Sequence, residues 1–558
     1  MRRAKRKNRW VRPGVSDRGQ ITILVVIALS VFLLGFVGFA VDMTNLWFHR
    51  QMAQGAADAA CQAGIMNVLY PTATQGFTPG TSFDCAGSPT ATPCKYAALN
   101  GYNGSGLTAN TPSSAVAVSF PGAPAGYDPS ILPPTSLAPV RFLRVDLTDR
   151  VKVFFSPLIT GNLTQDVHAQ AICGLTLTTI PIPLIILNPT DPCTFFPRGT
   201  GSIPKISILG GPAQSVQVNS TNATAPCANG NPIIDLSQGG PDFSGSDFGV
   251  AGGPTSPPFV FDGGTTGTYV SPHRAISDPF ALTPAPGQAG GPSIPSGTPA
   301  LGVNGTHVNC PNAVSGCPSG CPTTGGCTHY SGGYYPNGIE VKNETAIFDP
   351  GLYYLDGSRG LSLDANSIVR PSTDVGDGSG GTTFYFATSA SVSTAANSGG
   401  PTTVGFDTTR AQCPGGNPAD PRIGLPATLN GNVLLGPCTG AYGQVDTNPD
   451  GSTTPARGML FFQSRATNGA GQWSGGGEFL LAGTLYFHQC NASGTGVGCG
   501  DPPADYNASF DFGGNSCSST YVIGMIVADQ LLQHGTPCIK MVLDPYNLQR
   551  VVRASLVR

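Results

Sequence analysis

The chain has 558 residues and a net charge of −3, and only 11% of its residues are charged, whereas 76 are glycine and 51 are proline. This length allows two to four domains with sizeable cores. Ordinary soluble domains contain about 25% charged residues, so the composition argues against a cytosolic helical enzyme. It is typical of an exported, β-rich protein with many loops.

The charge is unevenly distributed. Residues 1–18 contain eight basic residues and one acidic residue, while the remainder is acidic. Because this arm directly precedes an apolar segment, we interpret it as the positive flank that keeps the N-terminus in the cytoplasm. Nucleic-acid binding is not expected, since the body has no basic stripe. The basic residues are Arg2, Arg3, Lys5, Arg6, Lys7, Arg9, Arg12 and Arg18.

An uncharged apolar segment follows, from Ile21 to Val41. As a helix it would be about 31 Å long, close to the roughly 30 Å of a bilayer core. The apolar region of a signal peptide usually has only about 7–15 residues, so we predict a permanent anchor that includes Leu24 and Phe32. The protein is then expected to cross the cytoplasmic membrane once, with its C-terminal body periplasmic or extracellular.

The helix is predicted to continue out of the membrane and to end near Leu69, just before Pro71. Small residues recur in this part of the helix. Two interpretations remain open for them: close packing against a partner helix, or simple helix propensity. These residues are Ala53, Ala56, Ala57, Ala60 and Gly64.

A set of residues in and around this helix follows a distinctive order: Arg18, Gly19, Gln20, Asp42, Arg50, Gln54, Ala57, Asp58, Ala59 and Ala60. Over residues 17–68 this order resembles the N-terminal module of TadG-like proteins, part of the tight-adherence (Tad) machinery that assembles Flp pili in bacteria. The resemblance implies that the partners are the membrane and other pilus-assembly proteins or envelope components. It singles out Asp42, which would cap the span or pair with a partner's base, and Asp58, which would pair with a base on a neighbouring helix. Both could equally be solvated helix acids.

The resemblance also raises the question of pilin processing. Pilin-like subunits of this system are cut after a glycine and usually carry glutamate five residues further on. The candidate glycine is Gly19, and the fifth residue after it is Leu24. Without that acid, pairing with the amino terminus of a neighbouring subunit is lost, so we expect an uncleaved assembly factor rather than a polymerising pilin.

The predicted fold class is a transmembrane helix followed by a mainly-β exported region. From about residue 339, short apolar strands led by glycine recur at near-multiples of about 25 residues, as in the stacked rungs of a β-solenoid. A β-sandwich with long loops is the alternative. The expected division is a cytoplasmic arm (1–18), the helix and its module (19–69), a Pro/Gly/Thr-rich linker (70–138), a β-rich segment (139–236), a loop-rich segment with cysteines (237–338) and the solenoid (339–547).

The chain has 16 cysteines, which outside the cytoplasm would form disulfides. Cys85 and Cys94 lie close together and are one candidate pair. A second cluster has spacings that fit no common zinc pattern, so we expect disulfides and no metal there. This cluster consists of Cys310, Cys317, Cys321 and Cys327.

No catalytic, metal-binding or phosphate-binding motif stands out in the sequence. Asp235 begins a segment like the metal site of von Willebrand A domains, but Gly239 replaces its last serine. Asp349, Asp356 and Asp364 could serve a polysaccharide-cutting solenoid, although they lie in turn sequences. We therefore expect no enzymatic activity, no cofactor and a structural or adhesive body. The alternatives are a membrane-tethered carbohydrate-active enzyme and a surface adhesin unrelated to pili.

Overall fold

A computed structural model describes residues 18–69, 74–127, 131–133, 135, 138–179, 182–199, 203–281, 283–288, 291–296, 306–308, 326–348, 351–364, 366–371, 382–396, 433–435, 446–447, 453–454, 459–475, 479–490, 506–514, 520–535, 538–542 and 550–557. The chain divides into two compact units. Unit 1 comprises Met1–Asp128, Val140–Leu175 and Ala554–Arg558. Unit 2 comprises Pro129–Pro139 and Thr176–Arg553.

The helices are α1 (Arg18–Leu69), α2 (Thr92–Leu99) and α3 (Pro157–Thr160). The first strands are β1 (Phe83–Asp84), β2 (Ser113–Ser119), β3 (Phe142–Lys152), β4 (Thr164–Thr179), β5 (Leu184–Ile186), β6 (Phe195–Phe196), β7 (Arg198–Gly199), β8 (Ile206–Leu209), β9 (Gln214–Val218), β10 (Asn229–Gly230), β11 (Ile233–Asp235), β12 (Asp247–Val250), β13 (Val260–Asp262), β14 (Tyr269–Val270) and β15 (Thr306–Val308). They are followed by β16 (Cys327–Tyr330), β17 (Gly333–Tyr335), β18 (Ile339–Val341), β19 (Thr345–Phe348), β20 (Gly351–Leu355), β21 (Leu361–Leu363), β22 (Ile368–Pro371), β23 (Thr382–Phe386), β24 (Val392–Ala396), β25 (Val433–Leu435), β26 (Asp446–Thr447) and β27 (Thr453–Thr454). The last strands are β28 (Met459–Gln463), β29 (Ala470–Gly475), β30 (Phe479–Ala482), β31 (Thr484–Phe487), β32 (Ser509–Gly514), β33 (Thr520–Ile523), β34 (Ile526–Ala528), β35 (Gln530–Gly535), β36 (Ile539–Val542) and β37 (Arg550–Leu556).

Helix α1 of unit 1 has two chemically different halves. Residues 21–41 expose almost all of their large apolar side chains, whereas the small side chains from Ala53 onwards are buried. Among the described residues, α1 is the one helix long and apolar enough to cross a membrane, with a mean hydropathy of 2.9 in its most apolar window. The predicted apolar helix followed by a mostly β body is therefore confirmed.

The second part of unit 1 is a five-stranded sheet with the order β1-β2-β3-β4-β37. Strand β3 pairs antiparallel with β2 and β4, and its buried residues alternate with partly exposed ones. One face of the sheet therefore packs against a core. The structure differs from the expected linker at 70–138, because α2 and two strands of this sheet lie there. Strand β2 is recognisable afterwards by Val116 and Val118, which alternate with smaller residues inside a Pro-rich and Gly-rich stretch.

Unit 2 contains three sheets of eleven, ten and seven strands. Their neighbouring strands run parallel, except that β15 and β16 are antiparallel. From β17 onwards the chain visits the ten-stranded, seven-stranded and eleven-stranded sheets in turn, beginning β17, β18, β19 and then β20, β21, β22. We call one such visit to the three sheets a pass. Each strand pairs in parallel with the strand of the same sheet in the next pass.

The passes of unit 2 do not stack in simple sequence order. The final pass, β34, β35 and β36, pairs in parallel with β5, β6 and β8 near the start of the unit. Strands β9 and β11 extend the stack from there. Two distant segments of sequence therefore join within each of the three sheets.

Aromatic rings pack along the interior of this stack. The rings of Tyr353 and Phe384 are stacked with centroids 4.9 Å apart, and Phe384 lies 5.9 Å from Phe461 in the next pass. Such contacts add a favourable interaction energy to that of burying the large rings, because aromatic pairs are attracted in offset or edge arrangements. They account for the recurrence of Phe and Tyr in the strands that the sequence analysis identified.

One detail of the predicted body differs from the structure. The recurring strands led by glycine begin near residues 351, 381, 431, 458, 483 and 524. Five of the six belong to the ten-stranded sheet, but the strand near 431 belongs to the eleven-stranded sheet. The recurrence of about 25 residues therefore mixed strands of two different sheets. The segment 237–338, expected to be loop-rich, contains six short strands, β12 to β17, among its described residues, and none of them is longer than four residues.

Candidate functional site at the membrane-proximal helix and sheet

One stripe of α1 makes the contacts that join this helix to the sheet of unit 1. Most of its residues follow one another at intervals of three or four positions, so they lie on a single helical face. The stripe consists of Gly38, Asp42, Asn45, His49, Ala53, Ala56, Ala57, Ala60 and Gly64. Asp42, Ala57 and Ala60 of the Tad-like sequence pattern therefore lie on this face of the helix.

Asp42 forms the membrane-proximal contact of this stripe. Its side chain is buried and accepts hydrogen bonds from the backbone N–H groups of Phe154, Phe155 and Ser156 at 2.9, 3.0 and 2.6 Å. The Ser156 hydroxyl donates a fourth bond at 2.7 Å. Hydrogen bonds to a charged group are stronger than neutral ones, so this carboxylate holds the turn after β3 firmly.

Two further polar contacts follow along the helix. The side-chain amide of Asn45 donates to the carbonyl of Lys152 at 3.1 Å. The Nδ1 atom of His49 lies 2.8 Å from the carboxylate of Asp149. Burial, together with the charge of Asp149, raises the pKa of Tyr102 to about 12. The contacts of Asn45 and His49 place the end of β3 beside the middle of α1.

Gln54 joins the helix to β4. Its side-chain amide donates to the carbonyl of Gln170 and to the carboxylate of Asp58, both at 2.8 Å. Asp58 therefore accepts a hydrogen bond within its own helix, and its pairing with a base on a neighbouring helix stays a prediction. Arg50 is exposed and lines a polar cleft of about 410 Å³ with Gln54 and His168.

The far end of the stripe is held covalently. Cys61 and Cys173 form a disulfide between α1 and β4. Nearby, a Cβ atom at Gly64 would lie 2.8 Å from side-chain atoms of both Leu143 and Pro93. The small residues between Ala53 and Gly64 are buried within their own chain, where α1 packs against α2 and β3.

The contacts define the direction of β3 relative to α1. Leu143 lies at Gly64, and Lys152 lies at Asn45. Along the helix this interval corresponds to about 28 Å. Along the strand it corresponds to about 30 Å. Because the two lengths agree, β3 lies alongside the helix. The order of the contacts is reversed, so β3 runs antiparallel to the helix and ends at its membrane-proximal part.

Two glycines of α1 provide a matched test of this packing. We expect Gly64→Ala to lower the free energy of unfolding of unit 1 by about 1–3 kcal/mol, because the new methyl group would overlap Leu143 and Pro93. Gly55→Ala should instead raise it by about 0.5–1 kcal/mol, since a Cβ there meets no atom within 4 Å and alanine favours helix. Urea titration of the full-length chain in detergent, followed by proteolysis, measures both effects. Equal effects of the two substitutions would contradict the close approach at Gly64.

The other predicted residues are distributed as follows. The basic residues Arg2 to Arg12 lie outside the described residues, and Gly19 and Gln20 lie in α1. Cys85 and Cys94 form the predicted disulfide. Of the second cysteine cluster, Cys310, Cys317 and Cys321 lie outside the described residues, whereas Cys327 is disulfide-bonded. A further disulfide, between Cys193 and Cys227, was not predicted.

The aspartates considered for catalysis take local roles where they are described. Asp356 accepts bonds from Tyr334 and from the N–H of Gly357, and Asp364 accepts from Ser367 and from two backbone N–H groups. Asp235 accepts from Ser237 in a short turn. Asp349 lies outside the described residues. In the described part of the chain, no group of three or more His, Cys, Asp or Glu residues could hold a metal.

Unit 2 contains one buried polar cluster that the sequence did not reveal. The Nδ1 atom of His488 lies 2.5 Å from Asp529, and the hydroxyl of Tyr486 donates to Asp278 at 2.7 Å. Arg465 donates to Tyr486 at 2.8 Å. Burial is the largest single influence and opposes protonation of His488, but the charge and hydrogen bond of Asp529, together with the charge of Asp278, raise the pKa of this histidine overall. Because the side chains of His488 and Asp529 are fully buried, we interpret the cluster as an internal link between the sheet and the segment around Asp278.

Within the part of the chain that the structure describes, these features define one membrane-compatible helix, whose outer half packs on an antiparallel sheet, and a β-rich body. Residues 19–70 match the family model Tad, described as "Putative Flp pilus-assembly TadE/G-like", so the predicted resemblance is confirmed for this segment. No curated protein and no solved structure matches the chain. The match ends at residue 70, whereas the sheet residues that contact the helix lie mainly between 142 and 175.

Proposed function

We propose that this protein is a membrane-anchored component of Tad/Flp-type pilus assembly or of its attachment to the envelope. The observation that carries the proposal is the Tad match at residues 19–70, which coincides with α1. Residues 21–41 act as the anchor, and the Tad-like residues beyond them fix the helix to its own sheet. Other pilus-assembly membrane proteins or envelope components are the expected partners.

The proposed orientation places the N-terminus in the cytoplasm and everything from Asp42 onwards outside it. The basic arm before the span favours this orientation. The disulfides of both units support it, because disulfides persist in oxidising compartments. The proposed location is the cytoplasmic membrane.

The proposed body is a β-solenoid with a structural or adhesive role. Parallel pairing of successive passes in three sheets supports a solenoid over a sandwich, since each pass buries its apolar face only against its neighbours. The structural role is supported by the engagement of Asp356 and Asp364 in local turns. A carbohydrate-active enzyme would need carboxyl groups free to act as acid and base.

Deletion of the gene with counting of surface pili by electron microscopy tests the proposal. We expect fewer pili, and restoration by the wild-type gene. A matched control replaces residues 18–41 with a cleavable signal peptide, so that the body is exported without an anchor; this control should not restore the pili. Unchanged pili with reduced attachment to surfaces would instead favour an adhesin unrelated to pili.

A further inference from the structure

We propose that the loop between β3 and β4, residues 153–163, inserts into the lipid headgroup region beside α1 and forms a second membrane contact. The proposal rests on the anchor proposed above. It adds a defined surface of unit 1 whose ligand is the bilayer itself. The residues of this loop, Val-Phe-Phe-Ser-Pro-Leu-Ile-Thr-Gly-Asn-Leu, contain no ionisable side chain.

Contacts with α1 fix the depth of the loop. Asp42, which binds three of its backbone N–H groups, directly follows the apolar segment 21–41. A Cβ atom at Gly38 would lie 2.6 Å from the ring of Phe155, so this ring packs closely against the helix inside the apolar segment. Gly38 precedes Val41 by about 5 Å of helix rise. Interfacial apolar groups are typically buried about 5–10 Å into the headgroup and acyl boundary, which matches this depth.

The loop exposes large apolar side chains over much of their surface. The exposed fraction is 85% for Leu158, 59% for Phe154, 52% for Leu163 and 43% for Phe155. Single exposed apolar residues are ordinary on soluble proteins, but a contiguous group marks an interaction surface. Because Phe155 packs at Gly38 and the backbone of residues 154–156 binds Asp42, the loop lies next to the apolar surface of α1, and the bilayer is the partner that covers both surfaces at once.

Residues at the edge of the loop suit a membrane–water boundary. The amino group of Lys152 lies 5.7 Å from the centre of the Phe154 ring, and its long stem allows the charge to reach the headgroups. Trp47, exposed on α1 just beyond Asp42, is a residue type favoured in the same boundary. The hydrogen-bonded Asp42 and the exposed apolar side chains of the loop therefore lie on opposite sides of the proposed membrane–water boundary.

Tryptophan fluorescence of the full-length chain tests this placement. The chain is reconstituted into vesicles of phosphatidylcholine and phosphatidylglycerol whose acyl chains are brominated near the carbonyl. In Leu158→Trp and Leu163→Trp, we expect the emission added to that of the wild type to be largely lost to quenching by bromine. Leu99→Trp is the matched control, because this leucine is 80% exposed in the same unit. It ends α2, whose Pro93 packs at Gly64, about 35 Å of helix beyond Val41, so its added emission should persist.

Flotation of the vesicles separates the two proposals. If the protein floats with the vesicles but the emission of both loop tryptophans resists bromine, the loop proposal is overturned while the anchor stands. A blue-shifted, unquenched emission at these sites would show that protein, such as a second copy, covers the loop, and it also overturns the proposal. Failure of the wild-type chain to float would overturn the anchor and the loop together.

Discussion

Removal of the Cys61–Cys173 disulfide is expected to lower the free energy of unfolding of unit 1 by about 5 kcal/mol. The two cysteines are 112 residues apart in sequence, so the bond removes a large amount of chain entropy from the unfolded state. The double substitution Cys61→Ala, Cys173→Ala leaves no unpaired thiol. The urea concentration at which α1 and β3 become accessible to protease, measured on the full-length chain in detergent, reports the loss.

The disulfide Cys85–Cys94 offers a matched control in the same unit. Its cysteines are only nine residues apart, so the same argument gives a loss of about 3 kcal/mol for Cys85→Ala, Cys94→Ala. The ranking of the two double variants is the point of the comparison. A smaller effect at Cys61–Cys173 than at Cys85–Cys94 would mean that the helix and sheet stay together in the unfolded ensemble without the covalent link.

Replacement of Asp42 by alanine is expected to cost about 4 kcal/mol in the stability of unit 1. The carboxylate accepts four hydrogen bonds, three of them from consecutive backbone N–H groups that lose their partner in the variant. The loop after β3 should detach first, because Asp42 holds it directly. Proteolysis within residues 153–163 should therefore accelerate in Asp42→Ala even without urea.

Asp58→Ala provides the control for this substitution. Asp58 lies on the same helix but accepts its hydrogen bond from Gln54, so we expect a loss below about 1 kcal/mol and no faster cleavage of the loop. An equal response of the two variants would indicate that Asp42 acts only as a helix acid. If Asp42→Ala left the stability of unit 1 unchanged, the claim that the hydrogen bonds of Asp42 hold the loop after β3 would be contradicted.

The apolar helix and the β character of the body could be predicted because both depend on local composition. Twenty-one uncharged residues specify a span by length alone. Within strand β3, Val145 and Leu147 alternate with polar residues, and this local pattern specifies a face as well as a strand. Local rules of this kind do not depend on what the segment packs against.

The contacts of the helix could not be predicted in the same way. Asp42 is bound by backbone N–H groups more than one hundred residues away, and backbone groups leave no mark in a sequence. Alanines at helical spacing fit a sheet as well as a partner helix, so the stripe from Ala53 to Gly64 left its partner open. In unit 2, the pairing of β5 with β34 joins segments whose distance along the chain carries no periodic signal.

Protease accessibility in intact spheroplasts tests the central claim most directly, namely that residues 21–41 span the membrane and the body lies outside the cytoplasm. The full-length chain carries one epitope at each terminus. We expect added protease to destroy the C-terminal epitope while the N-terminal epitope survives on a membrane fragment that resists carbonate extraction. A protected C-terminal epitope, or release of the whole chain into the soluble fraction, would contradict the account.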